Sequence, residues 1–148
     1  MTAVSHSFRQ IMMVAGPVSP YLQLAFKVHC VVDLLFAVPL VVYPAFLEWF
    51  GFARVDPYAA RLFAAALFGI GLSSWDTKQS VATYRKMLKL KIIFSGTALI
   101  FVFVAIGTTP PEETVPWGAF YLILPTFAGF HVMWQYFLWK IGRGESTI

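Results

Sequence analysis

Charge is scarce in this chain. Only 12% of its 148 residues are Asp, Glu, Lys or Arg, against roughly 25% in ordinary soluble domains. With 59% hydrophobic and 18% aromatic residues, the chain carries more apolar surface than a soluble core of this size can hide, which argues against a soluble domain. Cysteine is scarcer still. The single Cys30 excludes an intramolecular disulfide, and in its apolar surroundings the thiol behaves as a small hydrophobe. No nucleophile motif, paired-carboxylate constellation or metal-spaced Cys/His set occurs, so nothing in the sequence supports an enzyme. Gly69-Ile70-Gly71 follows no strand and is not a nucleotide loop. Internal repeats and low-complexity segments are absent as well. The apolar run at 11–15 is short and ends in Gly16-Pro17-Val18-Ser19-Pro20, which speaks against a cleavable signal peptide.

What is abundant is apolar sequence in long segments. A hydrocarbon slab about 30 Å thick admits about 20 apolar residues per helix, and four such segments fit, at about 20–47, 57–75, 88–107 and 115–139. The expected fold is all-α, a four-helix integral membrane bundle, with a cytoplasmic or interfacial leader at 1–19, the helical domain at 20–140 and a polar tail at 141–148. Ser19-Pro20 and Asp56-Pro57 each give a cap-then-proline start signal. Ser80 offers an early start to the third helix, as a basic stem before its apolar part. Pro39 and Pro44 should bend the outer half of helix one, and Pro125 should kink helix four. Consecutive prolines and polar residues at 108–114 make a turn.

The formal net charge is +4, but five of the eleven basic residues (Lys78, Arg85, Lys86, Lys89, Lys91) share one connecting segment. That grouping reads as membrane orientation, with no nucleic-acid partner implied. Adding Arg9, Lys140 and Arg143 gives eight on one side against Arg54 and Arg61 on the other, so both termini should be cytoplasmic. Tyr21, Trp75 and Trp139 would then mark the inner interface, and Trp49, Tyr58, Trp117 and Tyr121 the outer one.

Ionisable groups inside a span are costly and are the first candidates for function. His29 and Asp33 are four apart and share a helix face, whereas Lys27, about 200° from His29, can snorkel to the headgroups. Helical rise places His29 about 12 Å from Tyr21 and His131 about 13 Å from Lys140, so the two histidines should lie at one level. Ser95 lies just inside helix three, and Gln135 shares the face of His131. These five residues, His29, Asp33, Ser95, His131 and Gln135, form a polar layer in the cytoplasmic half. It reads as interhelical glue first, and alternatively as a proton path, a haem site or a pocket for a quinone or lipid-like ligand. A carboxyl buried in hydrocarbon, such as that of Asp33, is ionised only if a cation is close. On the outer side Glu48, Arg54, Asp56 and Arg61 cluster around the first hairpin, as a solvated salt bridge or an anion-attracting mouth. Ala65, Gly69 and Ser73 form a small-xxx-small packing stripe.

The segment Asp56-Pro57-Tyr58-Ala59-Ala60-Arg61-Leu62, leading into Ala64-Ala65-Ala66-Leu67-Phe68-Gly69-Ile70-Gly71-Leu72, resembles the DoxX-like group of small four-helix membrane proteins. The resemblance extends to topology over residues 20–140. It implies a membrane subunit or stand-alone protein, associated in some members with sulfur or thiol redox complexes, although this chain has no paired thiols. The expected function is a non-catalytic membrane subunit or self-associating protein in contact with the lipid bilayer, as a homo-oligomer or within a larger complex. A proton-linked transporter or channel is the first alternative, and a haem- or quinone-binding redox subunit the second.

Overall fold

The computed structural model describes residues 18–52, 55–76, 79–110 and 113–144. The leader at 1–17, Arg54, Lys78 and the last four residues therefore lie outside it. Among the described residues every regular element is helical. Helix α1 spans Pro20–Val42, a 3₁₀ helix follows at Pro44–Phe50, and α2 spans Pro57–Leu72. Helix α3 spans Val81–Gly107, and a π-helical stretch at Ala119–Ile123 runs into α4 at Leu124–Gly142. The helices α1 and α3 are long and apolar enough to cross a membrane. With 16 residues, α2 is apolar but shorter.

Local chemistry accounts for most of the boundaries. Asp56 accepts a hydrogen bond from the Ala59 N–H at 2.8 Å and caps α2, while Ser80 accepts from Thr83 N–H at 3.2 Å and caps α3, so the basic stem is helical from Val81. Helix α1 begins at Pro20 as expected, but the Ser19 hydroxyl makes no cap bond. Instead Gln23 reaches back to the Val18 carbonyl at 3.2 Å.

One expectation is corrected. Helix one stops at Val42 and does not run on to 47. Pro44 disfavours the helical conformation at Tyr43, which adopts φ −142° and ψ 78°, and it has no N–H for the Leu40 carbonyl. The chain tightens into the 3₁₀ turn and leaves it at Gly51, whose φ of +86° suits glycine. In the fourth helix the effect of Pro125 is spread over the preceding turn. The Leu124 N–H bonds to Ala119 O, an i to i+5 spacing, and this wider turn accommodates the proline ring ahead of the regular helix.

The helices pair as two hairpins, α1 with α2 and α3 with α4. At the end where α1 starts, Leu22, Ala25 and Phe26 of α1 pack against Tyr84 and Leu88 of α3 and Trp134 of α4. Phe26 meets Tyr84 edge-on at 4.9 Å and Trp134 at 5.1 Å. Toward the opposite end, Ala37 and Leu40 of α1 and Phe46 of the 3₁₀ turn pack with Ala60, Ala64 and Leu67 of α2. The two hairpins close there by backbone-level contact, because Gly118 sits directly against Phe50 and the Phe50 and Trp117 rings are 5.3 Å apart.

The inward face of α2 is Ala60, Ala64, Leu67 and Gly71. Ala65, Gly69 and Ser73 instead face outward, so the small-residue stripe does no packing among the described residues. The two glycines of this helix consequently differ. A Cβ on Gly71 would stand 2.8 Å from Asp33 Cβ, whereas one on Gly69 would meet nothing. Gly71→Ala should lower the thermal unfolding midpoint of detergent-solubilised protein by several degrees. In contrast, Gly69→Ala should leave it unchanged or raise it, because alanine is favoured in a helix by roughly 0.5–1 kcal/mol. Equal effects of the two would contradict this rotation of α2.

Candidate functional site

Helix geometry stacks His29 and Asp33 on one face of α1, and both are buried. Asp33 Oδ2 lies 2.9 Å from His29 Nδ1. The feature that organises them is Lys91 of α3, which is only 3% exposed. Its Nζ lies 3.2 Å from the same His29 Nδ1 and 3.4 Å from the carbonyl oxygen of Ile70. Nδ1 thus stands between a carboxylate and an ammonium, which has donors only: with the ring proton on Nε2 it accepts from Lys91, and with a proton on Nδ1 it donates to Asp33. Because both legs meet at Nδ1, Nζ and Asp33 Oδ2 are no more than about 6 Å apart, close enough for strong attraction in a low-dielectric interior.

Aromatic faces complete the surroundings of the cation. Nζ lies 5.3 Å from the Phe26 ring centroid and 5.5 Å from that of Trp134, within cation–π range. His29 is held edge-on by Phe130 at 4.6 Å and Trp134 at 5.1 Å. The Ile70 carbonyl belongs to the last turn of α2, where the dipole is negative and carbonyls lack helical partners. It also receives the hydroxyls of Ser73 at 2.7 Å and Ser74 at 3.0 Å.

The second half of the polar layer is a separate chain of contacts. Ser95 Oγ donates to Lys91 O at 2.7 Å and meets His131 Nδ1 at 2.9 Å. Gln135 Nε2 donates to His131 Nε2 at 2.7 Å, which makes that nitrogen the acceptor and puts the ring proton on Nδ1, directed at Ser95. Gly96 gives the ring its place, since a Cβ there would stand 3.1 Å from His131 Cε1. Both nitrogens of His131 are therefore occupied by neighbours, an arrangement that locks helix to helix. Among the described residues no group of three metal-ligating side chains occurs.

All five residues of the polar layer thus lie together, in two groups joined by Lys91. Lys91 is the residue that sequence reasoning misplaced, by counting it with the solvated basic run. Its spacing gives the signal, for Tyr84, Leu88, Lys91 and Ser95 recur at three and four and are all buried, while Arg85, Lys86 and Lys89 are exposed.

Among the described residues the outer cluster shows no salt bridge. Asp56 is committed to its helix cap, Glu48 is exposed, and Arg61 donates from Nε to the Val41 carbonyl at 3.4 Å, near the frayed end of α1. Arg54 lies outside the described residues.

Between the helices, beyond His29 and Asp33, lies a cavity of ≈ 220 Å³. Phenylalanines dominate its wall, among them Phe36, Phe63, Phe94, Phe127 and Phe130, with Leu40, Leu67 and the π-helical Leu122 and Ile123. His29, Asp33, Ser95 and Thr126 are its polar lining residues, and Lys91 stands behind them outside the lining. Comparison with protein-family models, curated proteins and solved structures found no match.

The buried pair yields a test of its own. Removing one member strands the other, at a cost of roughly 3–5 kcal/mol, while removing both is far milder. Asp33→Leu and Lys91→Met should each destabilise strongly, and the double variant should be more stable than either. Chemical unfolding of the three proteins checks this, and additive losses would show that the two groups do not interact.

Proposed function

We propose that this chain is an integral membrane protein of four spans, with both termini on the cytoplasmic side, that binds a hydrophobic molecule in the cavity between its helices. The observation that carries the reading is the cavity itself, apolar along its length and polar at one end, which is the usual form of a small-molecule site.

The membrane part rests on the outward surface. Large apolar side chains are exposed on every helix, including Leu35 on α1, Leu62 on α2, Phe101 on α3 and Val132 on α4. All seven aromatic residues assigned to interfaces are exposed as well, as belts require. The turn at 73–75 lengthens α2, and the π-helical stretch lengthens α4, toward the roughly 20 residues that a span needs. With Lys91 withdrawn into the interior, the basic residues still divide seven to two in favour of the cytoplasmic ends. The DoxX-like topology fits this arrangement. Lone Cys30 is buried, so the ligand reading needs no thiol chemistry, and the protein acts as a non-catalytic binder or subunit.

A second reading, proton-linked transport, is favoured by one observation. Three protonatable groups, Asp33, His29 and Lys91, are contiguous across two helices. It requires that Asp33→Asn abolish pH-driven flux in proteoliposomes, and wild-type flux no greater than that of empty vesicles would remove it.

Binding is tested with propylbenzene, a probe without polar groups. Saturation-transfer NMR on protein in lipid nanodiscs should show contact with the wild type, reduced at least severalfold by Leu67→Trp, which fills the cavity. Equal signals from both proteins would mean that the probe sits in lipid only. Orientation is read by single cysteines in a Cys30→Ser background. An impermeant thiol reagent should label Arg85→Cys and Trp49→Cys from opposite sides of the membrane, and labelling from one side would refute the four-span topology.

A further inference from the structure

The cavity is long and narrow. Along α1 its wall runs from His29 to Leu40, about 16 Å at the helical rise, and it continues to Phe50 and Phe52 beyond the 3₁₀ turn. A compact apolar cavity of about 150 Å³ already admits benzene, so ≈ 220 Å³ drawn out over that length makes a channel parallel to the helix. Three of its four polar lining residues are engaged by neighbours. Asp33 lies 2.9 Å from His29, His29 lies 3.2 Å from Lys91, and the Ser95 hydroxyl meets both Lys91 O and His131. What a guest touches along the channel is therefore phenylalanine and leucine. Phe63 marks where the channel reaches the surface. It is 41% exposed, whereas every other lining residue is buried or half-buried, and its neighbour Leu62 faces outward. Phe63 stands six residues after Pro57, about 9 Å along α2.

We infer that the channel takes a single hydrocarbon chain of a bilayer lipid, entering sideways from the membrane past Phe63. This rests on the four-span and binding readings proposed above, and it specifies the ligand and its route. In a hydrocarbon layer about 30 Å thick, a mouth about 9 Å along a spanning helix opens onto lipid chains, not onto water. The channel runs parallel to α1, so a lipid chain beside the protein already lies close to its direction. Width selects a chain over a fused ring system, and the mutual engagement of Asp33, His29 and Ser95 removes the need for a head group inside. Lipid is as apolar as leucine, so the transfer gains no hydrophobic energy. The gain is dispersion, because the rings of Phe36, Phe94, Phe127 and Phe130 acquire the contacts that a gap forfeits.

Leucine methyls supply the test, in phosphatidylcholine nanodiscs holding the full chain deuterated except at those methyls. Nuclear Overhauser effects from the lipid chain methylenes should reach Leu40 and Leu67, which line the channel, and not Leu22 and Leu88, which do not. All four are at most 4% exposed, so contact with lipid on the outer surface cannot produce the difference. Shape is tested with n-decane against trans-decalin, two hydrocarbons of equal carbon number. After subtraction of the Leu67→Trp background, saturation transfer should favour decane severalfold, and decane should weaken the lipid signals at Leu40 and Leu67. The route is tested by Phe63→Ala, which should speed the exchange of decane severalfold with little change in its affinity. Lipid signals absent from Leu40 and Leu67 or equally strong at Leu22 and Leu88, or decalin bound as well as decane, would overturn the lipid-chain assignment, and unchanged exchange in Phe63→Ala would overturn the route. In each of these cases contact with propylbenzene would still uphold the cavity reading, and its absence as well would overturn both.

Discussion

An ammonium group with almost no access to solvent must find its solvation inside the protein, and the placement of Lys91 governs the geometry around it. Its acceptors come from two other helices, His29 of α1 and the Ile70 carbonyl of α2, so the cation fixes three helices relative to one another. The Phe26 and Trp134 rings bring in α4 and close the shell. Asp33 supplies the opposite charge and needs close approach to α2, which Gly71 permits. The end of α2 fits as well, since the Ile70 carbonyl in its last turn accepts from Ser73, Ser74 and Lys91.

The same device recurs at the other end of the molecule in a weaker form. Arg61 of α2 reaches the Val41 carbonyl near the end of α1, as Lys91 of α3 reaches the Ile70 carbonyl near the end of α2. In both cases a cation from the following helix meets the negative end of the preceding one. The difference is solvation. Arg61 is exposed, so water competes for it and the contact contributes little, whereas Lys91 has no such alternative.

How much was legible follows from which physics is local. Caps and prolines act on their own neighbours, so the starts at Pro20, Pro57 and Val81 could be read from Ser19-Pro20, Asp56-Pro57 and Ser80. The gathering of His29, Asp33, Ser95, His131 and Gln135 at one level followed from helical rise alone. Misreadings came where a local pattern was ambiguous. Pro44 reads as a bend, yet it ends the helix, because it disfavours helical geometry at Tyr43 and has no N–H for the Leu40 carbonyl. Lys91 was read by its charged neighbours in sequence when its apolar neighbours at three and four positions were the better guide. Ala65, Gly69 and Ser73 form a helical stripe, but periodicity does not say which of two stripes turns inward, and Ala60, Ala64, Leu67 and Gly71 took that place. The cavity had no sequence signature, because it is a property of the gap between the four helices, the 3₁₀ turn and the π-helical turn.

Glue and pocket need not compete for the same residues. In the Ser95–His131–Gln135 chain the contacts satisfy both ring nitrogens of His131 and the Ser95 hydroxyl, and such satisfaction is what an interhelical lock requires. Asp33 differs because its carboxylate pairs with His29 at 2.9 Å and faces the charge of Lys91, in a residue that also lines the apolar space. The polar layer therefore has two parts, one joining α3 to α4 through Ser95 and His131 and the other surrounding the buried lysine beside the cavity.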